Sequence, residues 1–155
     1  MEPLARISLW LEELRAHRRV ALDTNLVIYY LEDVSPYNEL TFHLMRLMER
    51  GVIAGVLSTV VQAEVLVKPL RERNQRLIDR MESFFRQSPN LALRSVDSAV
   101  ARRAALVRSA TQLPLPDAII VATALEERCD VIIGNDGSIA RHNTGVPYVY
   151  LQNYV

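Results

Sequence analysis

The sequence predicts a three-layer α/β/α domain built on a parallel sheet, and three observations lead there. Short apolar runs alternate with longer amphipathic stretches along the whole chain. Strands alternating with helices call for a parallel sheet covered on both faces. Half of the 155 residues are apolar, which suits one domain with a proper core rather than a disordered chain. Finally, four acidic residues, Asp23, Glu64, Asp117 and Asp136, each fall where the backbone leaves a strand or begins the next helix. In an open α/β sheet those positions meet in one crevice outside the carboxyl ends of the strands.

Residues 3–18 read as an amphipathic helix, with Leu4, Ile7, Leu11 and Leu14 on one stripe and Trp10 beside it. Arg15, Arg18 and Arg19 lie near its C-terminal end, where positive charge complements the helix dipole. A short strand at 20–22 follows, then a helix over 25–32 that ends before the Ser35-Pro36 break. Residues 38–50 form a second amphipathic helix closed by Gly51. Residues 52–57 read as a buried strand, and Ser58 or Thr59 caps the helix that carries Glu64. Pro69 ends or bends that helix. A further helix covers 71–87, with Glu72 and Arg76 spaced as an i,i+4 pair, and a weaker strand covers 91–94. Residues 97–111 are helical from an Asp97 or Ser98 cap. Pro116 begins the next helix, which reaches about residue 128. Residues 131–133 form a strand before the Asn135-Asp136-Gly137 turn, and a last strand lies at 147–150. Residues 1–19 thus form a helical extension ahead of a domain at 20–155.

Charge and composition exclude several classes. Lysine plus arginine equals aspartate plus glutamate at 18 each, so no global basic field marks an extensive nucleic-acid footprint. No apolar run reaches the length of a membrane span, and no secretory signal core opens the chain. The single cysteine, Cys129, cannot form an internal disulfide. It reads as a buried structural thiol, and a reducing cytoplasm is expected. The histidines His17, His43 and His142 lack zinc-ligand spacing, and neither a P-loop nor a G-x-S-x-G elbow is present.

Each acid has an ordinary structural explanation when taken singly. Asp23 can cap a helix, Asp117 in a first turn complements the macrodipole, and Asp136 before glycine suits a turn. Glu64 is harder to explain in this way. Its helix reads V-V-Q-A-E-V-L-V, where Gln62 and Glu64 point about 200° apart and cannot share one narrow polar face. Carboxylates gathered in one crevice repel one another unless a cation compensates them, and hard divalent metals are the natural occupants.

With D-T-N after the first strand, Glu after the second, the P-D-A-I-I-V-A-T-A-L helix and N-D in the late turn, residues 20–151 resemble the PIN-domain nucleases. The likeness is strongest to the toxins of VapBC-type toxin–antitoxin pairs. It implies a sheet of order 3-2-1-4-5 and Mg²⁺- or Mn²⁺-dependent cleavage of RNA, with 5′-phosphate and 3′-hydroxyl products. It also implies a cognate antitoxin and a homodimer. Carried onto this chain, Asp23, Glu64, Asp117 and Asp136 are the catalytic and metal-holding acids and Asn25 is a supporting polar residue. Gly134 stands where the family often has Thr or Ser. Lys68, Arg71 and Arg141 are the candidates for guiding RNA phosphates toward the acids. Two other readings compete: a non-catalytic PIN-like module that binds RNA or protein, and a phosphoryl-transfer receiver domain. The second ordinarily needs a late lysine, and Lys68 is the only lysine here.

Overall fold

The computed structural model describes residues 2–155. Helix α1 (Pro3–Arg15) leads into β1 (Arg19–Leu22), α2 (Thr24–Leu31) and α3 (Asn38–Glu49). Then come β2 (Ala54–Ser58), α4 (Thr59–Arg71), α5 (Gln75–Gln87) and β3 (Leu91–Arg94). The chain closes with α6 (Ser98–Thr111), α7 (Leu115–Glu126), β4 (Val131–Gly134), α8 (Gly137–Ala140), β5 (Tyr148–Tyr150) and a 3-10 turn at Leu151–Tyr154. The five strands pair in the order 3-2-1-4-5 and every pairing is parallel.

β1 is central: Val20 pairs with Gly55 and Val131 and Ala21 with Val56 and Ile132 on its two sides, and Leu22 pairs with Ile133 of β4. Val20, Ala21 and Leu22 are buried, as are all four residues of β4, as strands covered on both faces require. Helices on the two faces complete the core with Leu26, Leu44, Val61, Met81, Val100 and Ile120. The α/β/α layering and strand order therefore agree with expectation.

Helix α1 packs on its own chain, on a face shifted from the expected stripe. Trp10 and Leu14 are fully buried and Ile7 and Leu11 pack against the core, whereas Leu4 is 83% exposed. The Trp10 indole N–H donates to the Leu40 carbonyl at 2.8 Å, and its ring meets Tyr154 at 5.0 Å between centroids. Trp10→Phe removes that hydrogen bond and part of the buried ring, so unfolding by denaturant should show a loss of about 2 kcal/mol. Leu4→Ala should stay within about 0.5 kcal/mol of the parent.

The α4–α5 region also differs in detail. Pro69 lies inside α4 rather than ending it. The break comes at Arg73, whose φ of 53° leaves the helical region, and Asn74 caps α5 through the Leu77 N–H at 3.2 Å. Glu72 and Arg76 thus belong to different helices and form no ion pair; Gln75 bonds Asp79 within α5 instead, at 2.8 Å.

Candidate functional site

Asp23 is the first residue past the central strand and caps α2, with its backbone N–H bonded to Ile133 of β4 at 2.9 Å. Only 4% of its surface is exposed. One carboxylate oxygen, Oδ1, accepts from the Thr24 N–H at 2.7 Å, and Oδ2 accepts from the Tyr148 hydroxyl at 2.9 Å. Burial pushes its pKa up to about 6 against these two hydrogen bonds, and the negative charges of Asp136 and Glu64 add to the rise.

The other three acids arrive from separate elements. Glu64 sits in α4, which the Ser58 side chain caps through the Val60 N–H at 3.2 Å. It is exposed, and its Oε1 accepts from the Thr24 hydroxyl at 2.7 Å, so Thr24 serves two different acids, Asp23 through its N–H and Glu64 through its hydroxyl. Asp117 lies in the first turn of α7, which follows Pro114 and carries Pro116 at its start. Its carboxyl is half-buried and has no hydrogen-bond partner among the described residues; burial first, then the charges of Asp136, Asp23 and Glu64, push its pKa up to about 6. Asp136 follows β4 and caps α8 through the Ser138 N–H at 2.8 Å.

Asp117 senses the charge of all three others, so the four side chains face one region at the carboxyl edge of the sheet. None of them forms an ion pair with Lys, Arg or His among the described residues. An all-oxygen donor set with uncompensated charge suits a hard divalent cation in chemical type. As the side chains are placed, however, no three His, Cys, Asp or Glu among the described residues close on a single point. Glu64 is turned toward Thr24 instead.

The supporting and basic candidates are spread more widely. Asn25 accepts the Asn135 N–H on its side-chain carbonyl at 3.0 Å, which braces the turn just before Asp136 rather than touching a carboxylate. Lys68 and Arg71 are exposed in the last turn of α4, and Lys68 lies 3.8 Å from Glu32. Arg141 is exposed at the end of α8, one short helix away from Asp136. Cys129 is half-buried, and burial foremost pushes its thiol up to about 11, which excludes an activated thiolate at neutral pH. A groove of about 880 Å³ opens elsewhere, between Tyr30, Phe42, Arg80 and Phe84, and none of the four acids lines it.

Two contributors escaped the sequence reading, Thr24 as a donor to Glu64 and Tyr148 as a donor to Asp23. The signal for the second was Gly134, since a glycine inside a buried strand marks the close approach of another group. A Cβ there would lie 2.5 Å from the Tyr148 hydroxyl and 2.4 Å from the Asp23 Cβ.

The raised acids make the metal-free fold pH-sensitive. Unfolded aspartate titrates near 3.9, so between about pH 4 and 6 the folded state holds more protons at Asp23 and Asp117 than the unfolded state does. Their contribution to stability is therefore largest below that window and falls as pH rises through about 6. With EDTA present, the melting temperature should be higher near pH 5.5 than at pH 7.5. Excess Mn²⁺ should narrow that difference; a melting temperature that rises steadily from pH 5.5 to 7.5 in EDTA would contradict the assignment.

The PIN domain family model matches residues 20–144. No curated protein matches the chain in sequence. Among solved structures, the chain is similar to one of VapBC2 from Rickettsia felis bound to a promoter DNA fragment, with a TM-score of 0.68 at 13% identity over 85% of this chain and 98% of that one. It is also similar to a toxin–antitoxin complex from Klebsiella pneumoniae, with a TM-score of 0.63 at 22% identity over 85% of this chain and 97% of that one. VapC20 of Mycobacterium tuberculosis, a toxin that cleaves the sarcin–ricin loop, aligns with a TM-score of 0.63 at 17% identity over 83% of this chain and 99% of that one. At these identities the structures speak for the fold. The family model covers most of the chain, and together with the 3-2-1-4-5 parallel sheet it shows that this protein belongs to the PIN domain family.

Proposed function

We propose that this protein is a divalent-metal-dependent endoribonuclease and the toxin of a toxin–antitoxin pair. The observation that carries the reading is the gathering of Asp23, Glu64, Asp117 and Asp136 at one sheet edge with no basic partner, two of them with pKa values raised to about 6. Such a cluster costs stability, and a metal-binding role is what offsets that cost.

Asp23, Glu64, Asp117 and Asp136 would hold Mg²⁺ or Mn²⁺, the side chain of Glu64 turning from Thr24 to do so. A bound metal supplies an acidified water and neutralises charge on an in-line phosphoryl transition state. The chain's own residues do the positioning. Thr24 N–H and the Tyr148 hydroxyl fix both oxygens of Asp23, and Asn25 braces the turn that presents Asp136. Lys68, Arg71 and Arg141, exposed around the acids' elements, would draw RNA phosphates toward the cleft by charge. Membership of the PIN family and the likeness to toxin–antitoxin complexes support an antitoxin partner; pairing of two copies and a cytoplasmic setting belong to the same reading.

Incubation of the purified protein with single-stranded and structured RNA in Mg²⁺, Mn²⁺ or EDTA tests it. Cleavage is expected with metal and not with EDTA, leaving 5′-phosphate ends. A folded protein that retains RNA or protein binding but cleaves nothing with either metal would instead be the non-catalytic PIN-like module.

A further inference from the structure

We infer that Tyr148 is a positioning residue of the acidic site, a single hydroxyl that sets the Asp23 carboxylate in register with the Asp136 turn. The inference rests on the nuclease reading above and deepens it. Tyr148 stands on β5 at the edge of the sheet, and Asp23 follows β1 at its centre, with β4 between them. To reach Asp23 the phenol must pass over β4, and it does so at Gly134, where a Cβ would come within 2.5 Å of the hydroxyl.

The hydrogen bonds there can run in only one direction. A phenol has one proton to give and lone pairs to accept with. The Asp136 N–H, which can only donate, gives its proton to the Tyr148 oxygen at 2.8 Å. The hydroxyl proton is then directed to Asp23 Oδ2 at 2.9 Å. With Oδ1 held by the Thr24 N–H at 2.7 Å, the carboxylate is fixed at both oxygens and its remaining lone pairs are left for the cleft. The same hydroxyl ties down the backbone of Asp136, so two acids from different strands share one reference point. Removing it frees the Asp23 carboxylate to rotate and strips the Asp136 N–H of its acceptor.

Partners that orient metal-holding carboxylates typically contribute about 10–100-fold to metal affinity or activity. Tyr148→Phe should therefore weaken Mn²⁺ binding, measured by calorimetry on the full chain, by roughly 10-fold or more. The turnover rate for RNA cleavage should fall in the same range while the Michaelis constant for RNA stays within about twofold, because no phosphate-guiding side chain changes. Tyr150→Phe, on the same strand with its hydroxyl free of hydrogen bonds among the described residues, should leave Mn²⁺ affinity unchanged and so controls for general loosening of β5. If the Phe variant is poorly folded, 3-fluorotyrosine at position 148 keeps the hydroxyl, and its fluorine resonance should broaden on substoichiometric Mn²⁺ but not on Mg²⁺. A parent that binds Mn²⁺ and cleaves RNA, with Tyr148→Phe equal to it in both or with the fluorine signal unaffected by Mn²⁺, would overturn the positioning role. A parent that binds no Mn²⁺ and cleaves no RNA would instead overturn the nuclease reading on which it rests.

Discussion

Asp117→Asn is expected to abolish RNA cleavage while leaving the metal-free protein at least as stable as the parent. Asp117 is the acid that best separates a chemical role from a structural one. It makes no hydrogen bond among the described residues, and its pKa is pushed up to about 6 by burial and by three neighbouring carboxylates. A rise of that size corresponds to about 3 kcal/mol in a fully buried group. This side chain is only half-buried, so solvent screening reduces the expected gain on neutralisation to roughly 1 kcal/mol, or a few degrees in melting temperature. Loss of a first-turn negative charge on α7 opposes that gain by about 0.3–1 kcal/mol, which leaves the net change at or above zero. Activity should respond far more strongly. Charge stabilisation by a metal is worth several kcal/mol at the transition state, so losing one of its holders should lower turnover by on the order of 10³-fold. Metal should also stabilise the parent by about 2.7 kcal/mol at 100 times its dissociation constant, and the variant by clearly less at the same concentration. Thermal melts with EDTA and with Mn²⁺, run beside a cleavage assay, measure all three effects. Full activity with an undiminished Mn²⁺ shift would remove Asp117 from the mechanism.

The fold was legible because its signals are periodic and local. Residues 131–133 read as a strand one residue short of the observed Val131–Gly134, and Pro114 and Pro116 bounded α7 before any contact was known. The edge on which the acids gather followed from the α/β alternation for three of them, since Asp23 and Asp136 come just after strands and Asp117 opens a helix, whereas Glu64 lies a turn further along, inside α4. Features that depend on a partner surface were not legible. Leu4 belongs to the apolar stripe of α1 by spacing, yet the surface that receives the helix covers Trp10 and Leu14 and leaves Leu4 in solvent. The four residues of α8 are too few to show a period. Arg73 gives no sequence signal of its positive φ, so the expected Glu72–Arg76 pair was drawn across a chain break in helicity. The Tyr148–Asp23 bond joins residues 125 positions apart across an intervening strand, and only Gly134 hints at it.

Gly134→Ala should consequently be among the most damaging single-methyl additions in the protein, for stability and activity together. The new Cβ would sit 2.4 Å from the Asp23 Cβ, 2.8 Å from its Oδ2 and 2.5 Å from the Tyr148 hydroxyl. A flexible side-chain tip could swing away at little cost, but the Asp23 Cβ moves only with its backbone. That backbone is bonded to Ile133 in β4 itself at 2.9 Å, so relief requires spreading the two central strands. Overpacking of a filled interior typically costs about 1–3 kcal/mol, and the absence of a soft neighbour places this site at the upper end. The melting temperature should drop by roughly 10 °C. In the nuclease reading, whatever protein still folds should bind Mn²⁺ more weakly, because the methyl displaces the Tyr148 hydroxyl from Asp23. Gly137→Ala supplies the contrast three residues later. Its Cβ would meet only the ends of Arg141 and Tyr150, at 3.4 and 3.5 Å, and it begins α8, where alanine is the better helix former by about 1 kcal/mol. That variant should melt at or slightly above the parent. If Gly134→Ala melted within about 2 °C of the parent and kept its Mn²⁺ affinity, the close packing of β4, Asp23 and Tyr148 could not be what holds the site in shape.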